Sequence, residues 1–223
     1  MKDLMVVVER DIGNLMFIDS RNHQALKHIE AGYAIHAPSF TSKEVSDRWL
    51  WAIARNGWLT KIDLYSLQVV GKVRVGLDSQ GTAISRDGKH VIAGNYIPNS
   101  AVIVGANTLE PVKVIETLGV DPKGQAVKSR VAGLVPTPSK PYFEIVLKEA
   151  GQVWVVDYSK PDMPIISTIS GVGNILHEAF LIPEGRYMQV ASQEDGIIAV
   201  IGLEGFSRPN AARACFFQRR TER

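Results

Sequence analysis

Apolar residues along this chain come in short bursts that recur with a period in the forties. The run 5–19, Met-Val-Val-Val-Glu-Arg-Asp-Ile-Gly-Asn-Leu-Met-Phe-Ile-Asp, returns at 49–63 as Trp-Leu-Trp-Ala-Ile-Ala-Arg-Asn-Gly-Trp-Leu-Thr-Lys-Ile-Asp. It returns again at 143–157 as Phe-Glu-Ile-Val-Leu-Lys-Glu-Ala-Gly-Gln-Val-Trp-Val-Val-Asp, with weaker copies at 90–105 and 187–202. The anchors Asp19, Asp63, Gly105, Asp157 and Gly202 stand 44, 42, 52 and 45 residues apart, and Gly13, Gly57, Gly151 and Gly196 each precede an anchor by six. Each copy predicts two β-strands rich in Val, Ile and aromatic residues, joined by a turn in which glycine takes φ > 0 without a Cβ clash. The first strands are nearly continuous apolar runs, as expected where both faces are covered. Polar turns such as Ser85-Arg-Asp-Gly88 and Pro183-Glu-Gly185 lead into further runs.

No segment carries a long 3.6-residue apolar period. Four short strands per 40 to 50 residues is the pattern of a β-propeller blade, so the chain is expected to be all-β, with about five blades over residues 1–205. The segment 117–128, which lengthens one interval to 52, is expected to be an exposed loop. Residues 206–223 leave the pattern and end in a basic stretch, read as a disordered tail after a truncation or frameshift. Met1 falls almost on a blade strand. Together these features predict a fragment of a larger propeller with raw sheet edges, which invite association, a homodimer included.

Composition narrows the function classes. The 223 residues are 45% hydrophobic, enough for a sizeable core, and the net charge of +2 offers no broad surface for nucleic acid or a membrane. Cys215 is the only cysteine, which excludes an intrachain disulfide and a Cys-x-x-Cys-His attachment site for c-type haem. The first ten residues hold a five-residue apolar run broken by Glu9 and Arg10, too short for an export signal or a membrane span.

The stretch 32–40, Gly-Tyr-Ala-Ile-His-Ala-Pro-Ser-Phe, concentrates the candidate chemistry. His36 stands among apolar neighbours two residues before Pro38, so its imidazole is held in one orientation. Such a residue serves either as a metal ligand or proton carrier, or as a hydrogen-bonded packing histidine.

Several short motifs recur in register with these blades: Gly-Tyr-Ala-Ile-His36, Trp-Leu-Trp-Ala-Ile-Ala-Arg55, Asn95-Tyr-Ile-Pro98, Thr108-Leu-Glu-Pro111, Ser129-Arg-Val-Ala132 and Ile175-Leu-His177. In this order and spacing the chain resembles the d1 domain of cytochrome cd1 nitrite reductase and the paralogues that build haem d1, over residues 5–201. The resemblance implies an eight-bladed haem d1 propeller, of which this chain would supply about the first five blades. It places His36 as the proximal ligand of the haem d1 iron and His177 as a distal histidine able to attract nitrite and donate a proton. It places Arg10, Arg55 and Arg130 against the carboxylates of haem d1, and Tyr96 beside the cofactor. Each has a plainer reading: a solvated loop histidine, ion-paired surface arginines, a packed tyrosine.

The chain departs from the reductase pattern. The second distal histidine is absent, Gln80 stands where the reductase carries an arginine, and there is no c-haem domain to deliver electrons. The missing blades would leave the pocket open to solvent. The expected function is therefore a haem d1-binding part of a nitrite reductase forming nitric oxide, with nitrite as substrate and a c-type cytochrome as electron donor. A haem d1 biosynthesis or cofactor-handling paralogue is the alternative, and a cofactor-free interaction propeller a third. Family members are mostly periplasmic, which is the location the resemblance implies.

Overall fold

The computed structural model describes residues 3–41, 45–203 and 214–218. The chain forms two compact units, Met1–Pro98 with Val102–Val114, and Asn99–Ala101 with Ile115–Arg223. Strands account for nearly all of the regular structure; among the described residues the one helical element is a 3-10 turn, Arg10–Ile12.

In the first unit, β1 (Leu4–Glu9), β2 (Asn14–Asp19) and β3 (Gln24–Glu30) form a three-stranded antiparallel sheet. Two four-stranded sheets follow: β4 (Ile35–Phe40), β5 (Trp49–Ala54), β6 (Trp58–Asp63) and β7 (Gln68–Arg74), then β8 (Asp78–Ile84), β9 (His90–Ile97), β10 (Ser100–Gly105) and β11 (Pro111–Glu116). Strand order within each sheet is sequential, the meander of a propeller blade. The anchors read from the sequence end the second strand of each repeated hairpin: Asp19 ends β2, and Asp63 and Gly105 end β6 and β10, the third strands of their sheets.

The apolar runs are continuous because alternate residues of one strand serve two cores. On β5, Leu50 and Ala52 join Leu15, Phe17, Ile35 and Ile62 in one cluster, whereas Trp51 and Ile53 join Ile84, Val91 and Val102 in another. Burying each such side chain contributes about 1.5–3 kcal/mol. The fourth strands are mostly exposed and polar on one face, as in β7 and β11.

The second unit begins with a two-stranded hairpin, β12 (Leu118–Val120) and β13 (Ala126–Lys128). The segment 117–128 is thus a paired hairpin rather than a plain loop. It is exposed at Leu118 and Val120, but Gly119 is buried against Ala150, where a Cβ would come within 2.6 Å of the Ala150 methyl. Two more blades follow: β14 (Val131–Pro136), β15 (Tyr142–Leu147), β16 (Gln152–Asp157) and β17 (Ile165–Ile169), then β18 (Leu176–Leu181), β19 (Tyr187–Ser192), β20 (Ile197–Gly202) and β21 (Ala214–Gln218). Val146, Val153, Val155, Leu176, Met188 and Val190 form their shared core.

β21 corrects the reading of residues 206–223 as wholly off the pattern. Ala214–Gln218 pairs antiparallel with β20, completing a four-stranded blade. The ladder needs backbone groups more than side-chain alternation, so Ala-Cys-Phe-Phe-Gln can fill an edge that its pattern does not advertise. The rest of that segment lies outside the described residues.

The hairpin glycines hold the blades' connectors. Gly57 has φ +84, and a Cβ there would sit 1.9 Å from the carbonyl oxygen of Gly76, in the segment entering β8. The Val75 N–H donates to the Gly57 carbonyl at 2.8 Å, so hairpin and connector are in direct backbone contact. The same arrangement recurs between Gly13 and Gly32 and between Gly151 and Gly173.

Candidate functional site

Each blade after the first opens on a strand with a β-bulge at the same place. On β4, Ile35 pairs with Ala54 and Ala37 with Ile53, leaving His36 as the extra residue. On β8, Ser79 pairs with Asn95 and Gly81 with Gly94, leaving Gln80. On β14 the extra residue is Ala132, and on β18 His177 and Glu178 fall in the break between Leu176 and Ala179. A bulge turns a side chain away from the regular pleat, which is how a strand within a packed sheet presents a functional group. His36, Gln80, Ala132 and His177 are therefore equivalent positions on four blades.

In the first unit these bulges build a connected cluster. Gln80 Nε2 lies 2.6 Å from His36 Nε2. The Gln80 carbonyl oxygen accepts from Arg55 Nη1, which orients the amide so that its NH2 donates to the imidazole. His36 is then neutral at Nε2, with its ring proton on Nδ1. Arg55 follows β5; its N–H donates to the Tyr33 carbonyl at 3.0 Å and its own carbonyl accepts from Ser79 N–H at 3.3 Å. Its guanidinium grips Asp78, with Nε 3.0 Å from Oδ1 and Nη2 3.2 Å from Oδ2, and lies 4.8 Å over the Tyr96 ring. Among the described residues the guanidinium thus makes two hydrogen bonds, to Gln80 Oε1 and Asp78 Oδ2, and an ion pair with Asp78 Oδ1.

The structure thus brings His36, Arg55 and Tyr96 together, through two residues, Asp78 and Gln80, that were not among the expected site residues. Asp78 could have been noticed as the carboxylate two residues before Gln80. Gln80, read from sequence as a missing arginine, is the bridge of the cluster. Asp78 offsets the charge of Arg55, and the amide adds none, so the cluster is neutral.

Arg10 lies outside this cluster, on the exposed 3-10 turn, where its carbonyl accepts from Gly13 N–H at 3.2 Å. Arg130 and His177 belong to the second unit. Arg130 is bound to Glu149: Nε and Nη2 each lie 2.5 Å from Oε1, and its backbone N–H donates to Oε2 at 2.7 Å. His177 is partly exposed, with Nδ1 4.0 Å from Glu178 Oε1. Lys148, absent from the sequence reading, is buried, and its Nζ reaches Gln193 Oε1 at 3.4 Å. Burial pushes its ammonium below the usual lysine range, and the Arg130 charge adds to the effect.

Among the described residues, no three His, Cys, Asp or Glu side chains converge as a metal site. A metal held here would bring most of its ligands with it, and one imidazole is all that an iron already seated in a tetrapyrrole requires. The donor set His36, Arg55 and Tyr96 matches such a group: an axial nitrogen, a fork for carboxylates and an aromatic edge. No helix among the described residues is long and apolar enough to cross a membrane.

The chain is 31% identical over 207 residues to dihydro-heme d1 dehydrogenase of Pseudomonas aeruginosa, covering 92% of this chain and 40% of the relative. It is 35% identical over 186 residues to protein NirF of Stutzerimonas stutzeri, covering 83% and 46%, and 32% identical over 208 residues to nitrite reductase of the same organism, covering 90% and 36%. The chain thus spans less than half the length of these relatives. The solved structure of dihydro-heme d1 dehydrogenase NirN in complex with DHE matches with a TM-score of 0.75 at 31% identity, over 91% of this chain and 42% of that one. The β-propeller domain of Myceliophteria thermophila Cps50 (Swd1) matches with a TM-score of 0.81 at 17% identity, over 99% of this chain and 70% of that one, which identifies the fold as a β-propeller. Residues 1–207 match the model of the cytochrome D1 heme domain, and this chain, whose bulged strands gather the imidazole, guanidinium and phenol, belongs to that family.

Proposed function

We propose that this chain binds haem d1 or its dihydro precursor and serves in the making or handling of that cofactor, rather than in nitrite reduction. The observation that carries the reading is the neutral bridge from His36 through Gln80 to Arg55 and Asp78. A site that reduces an anion at iron gains from positive charge near the metal. A site that holds a tetrapyrrole needs an axial nitrogen and directional partners for its carboxylates, and the first unit offers both. The relative named dihydro-heme d1 dehydrogenase, and the solved NirN complex with DHE, support the same reading.

When bound, the tetrapyrrole supplies an iron and a conjugated macrocycle. His36 would hold that iron through its Nε2 lone pair, which Gln80 now fills. Arg55, held in place by Asp78 and Tyr96, would offer its remaining N–H groups to a carboxylate. Arg10, exposed on its turn, is a further carboxylate partner, and Arg130 would act only by sharing Glu149's grip. His177, partly exposed, would hand over a proton. With the reading go a periplasmic location and, for any redox turnover, a c-type cytochrome as partner.

The nitrite reductase reading rests on the relative of that name and on His177, and one experiment separates the two. The purified chain is titrated with haem d1, dihydro-haem d1 and protohaem, and the products are examined by absorption and electron paramagnetic resonance and assayed for nitrite consumption with a chemical reductant. The expected result is imidazole ligation of the two d1-type tetrapyrroles, lost in His36→Ala, without nitrite turnover. Nitric oxide formation would restore the reductase reading, and absence of any tetrapyrrole binding would sink both.

A further inference from the structure

Each blade has two faces, and strand register tells them apart. On β5, Leu50 and Ala52 turn towards the blade before, the leading face, while Trp51 and Ile53 turn towards the blade after, the trailing face. The pairing Trp49↔Asp63 recurs as Leu4↔Asp19, Tyr142↔Asp157 and Tyr187↔Gly202, which carries the assignment to the other blades. In the first unit Val6 and Phe17, on a trailing face, join Leu50 and Ile62 on a leading one. Trp51 and Leu59 likewise join Val91 and Val104. In the second unit Val146 and Val153 join Met188 and Ile201. The same joint, trailing face on leading face, is built three times from one chain.

Two more faces of these kinds stay open among the described residues. The leading face of the first blade consists of Met5 and Val7 on β1, paired with Ile18 and Met16 on β2. Met5 is 48% exposed and the other three are half-buried, whereas their counterparts Leu50, Ala52 and Ile62 are wholly buried. The trailing face of the blade β18–β21 carries Tyr187, Gln189 and Ala191 on β19, with Ile198 and Val200 on β20. Ile198 is 45% exposed, whereas Leu59 at the matching place is wholly buried. No side chain of either set is charged. An apolar sheet face of this kind marks a contact surface.

The open pair is one leading and one trailing face, so each molecule carries both halves of the joint. Charge at the rim points the same way. The residue just before the matching strand is Arg48 ahead of β5 and Arg186 ahead of β19, but Asp3 ahead of β1. Asp3 and Arg186 are both exposed. Stacking in the manner of the internal joints brings Arg186 of one copy level with Asp3 of another, a pairing of opposite sign. Like on like would set two aspartates or two arginines on one surface, and no joint within either unit is built that way.

We propose that this chain associates head to tail, the trailing face of the blade β18–β21 in one copy seating on the leading face of the first blade in a second copy. The occupant of each open face is therefore another molecule of the same chain. A heterologous contact of this kind closes into a ring where the rotation permits and otherwise adds further copies. The inference rests on the blade frame and is independent of the tetrapyrrole reading.

The test is sedimentation velocity of the full chain over a wide range of concentrations, for wild type, Met5→Arg, Ile198→Arg and an equimolar mixture of the two variants. Wild type is expected to form dimers and larger species as concentration rises. Each variant keeps one sound face, so its self-association should weaken roughly tenfold or more, the effect of an unpaired charge in an apolar contact. The mixture should recover a one-to-one dimer that grows no further, because the sound trailing face of Met5→Arg meets the sound leading face of Ile198→Arg. A wild-type chain that stays monomeric throughout overturns the proposal and leaves the faces to a different partner. An assembly that neither substitution weakens, or that the mixture fails to restore, overturns it as well. Far-ultraviolet circular dichroism checks the fold of each variant, and Met5→Gln with Ile198→Gln gives the same comparison where an arginine variant does not fold.

Discussion

Arg55 and Lys148 end matching strands, bond matching backbone groups and face matching bulges, yet they live in opposite electrostatic settings. Arg55 is held by Asp78, Gln80 and Tyr96 in a charge-balanced cluster. Lys148 is buried with one long hydrogen bond, beside an arginine already spent on Glu149. The same contrast appears one turn of the pleat away. Trp51 pairs with Lys61 across β5 and β6, and the corresponding pair on β15 and β16 is Glu144 with Val155. The blade frame thus fixes where side chains point and leaves their chemistry open. Divergence between repeats is how one fold carries two kinds of site.

The largest effect expected from this contrast is in pH dependence. Glu144 is wholly buried against an apolar core, Oε2 has no partner among the described residues, and burial pushes its pKa up to about 8 despite the hydrogen bond from Thr137. Its folded-state pKa lies above the unfolded value, so its contribution is complete below about pH 4.5 and is lost as pH rises through 8. The loss is on the order of 4 kcal/mol. In the first unit, Asp63 behaves oppositely: the hydrogen bonds from Arg48 hold it at about 2, so its contribution is present above the ordinary carboxylate range and fades as pH falls through 2. Melting curves from pH 3 to 9 should lose their alkaline slope in Glu144→Gln and keep it in Asp63→Asn. An unchanged alkaline slope in the Gln variant would show that Glu144 is not the titrating group.

A second expected difference lies in the hairpin glycines. Gly57→Ala combines positive φ with a Cβ 1.9 Å from the Gly76 carbonyl oxygen, and should cost about 3 kcal/mol or more. Gly196→Ala has φ +64 but nothing within 4 Å, and should cost about 1 kcal/mol. Equal losses in chemical denaturation would mean that the connector yields easily and the close contact carries little. The smallest effect concerns the bridge itself. Gln80→Ala removes the amide that fills the Nε2 lone pair of His36, and with it the bond from Arg55, so ligation no longer has to break a neutral hydrogen bond and imidazole ligation of an iron porphyrin should tighten about fivefold. Weakened ligation would make Gln80 an orienting residue rather than a competitor.

Much of the scaffold was legible because it depends on local periodicity. Every anchor ends the second strand of its repeated hairpin, and the glycines at Gly13, Gly57, Gly151 and Gly196 all adopt positive φ. What failed locally failed for a reason. The segment 117–128 folds as a hairpin because Thr117 and Ser129 close its base, with Thr117 Oγ1 donating to the Ser129 carbonyl at 2.5 Å, an interaction that no apolar pattern records. Ala214–Gln218 joins a blade through backbone pairing, which any sequence without proline can supply.

The site divides along the same line. Resemblance of short motifs singled out His36, Arg55 and Tyr96, and the fold gathers them. It could not show that Gln80 joins the first two or that Arg130 is committed to Glu149, because each of these is a relation between residues 19 to 44 positions apart. The sequence alone determined the blade period, the strand and turn positions and the kinds of group available. Only the tertiary structure decided which of those groups meet, because a bulge moves a side chain off its pleat by an amount that depends on how two strands pair, not on either strand by itself.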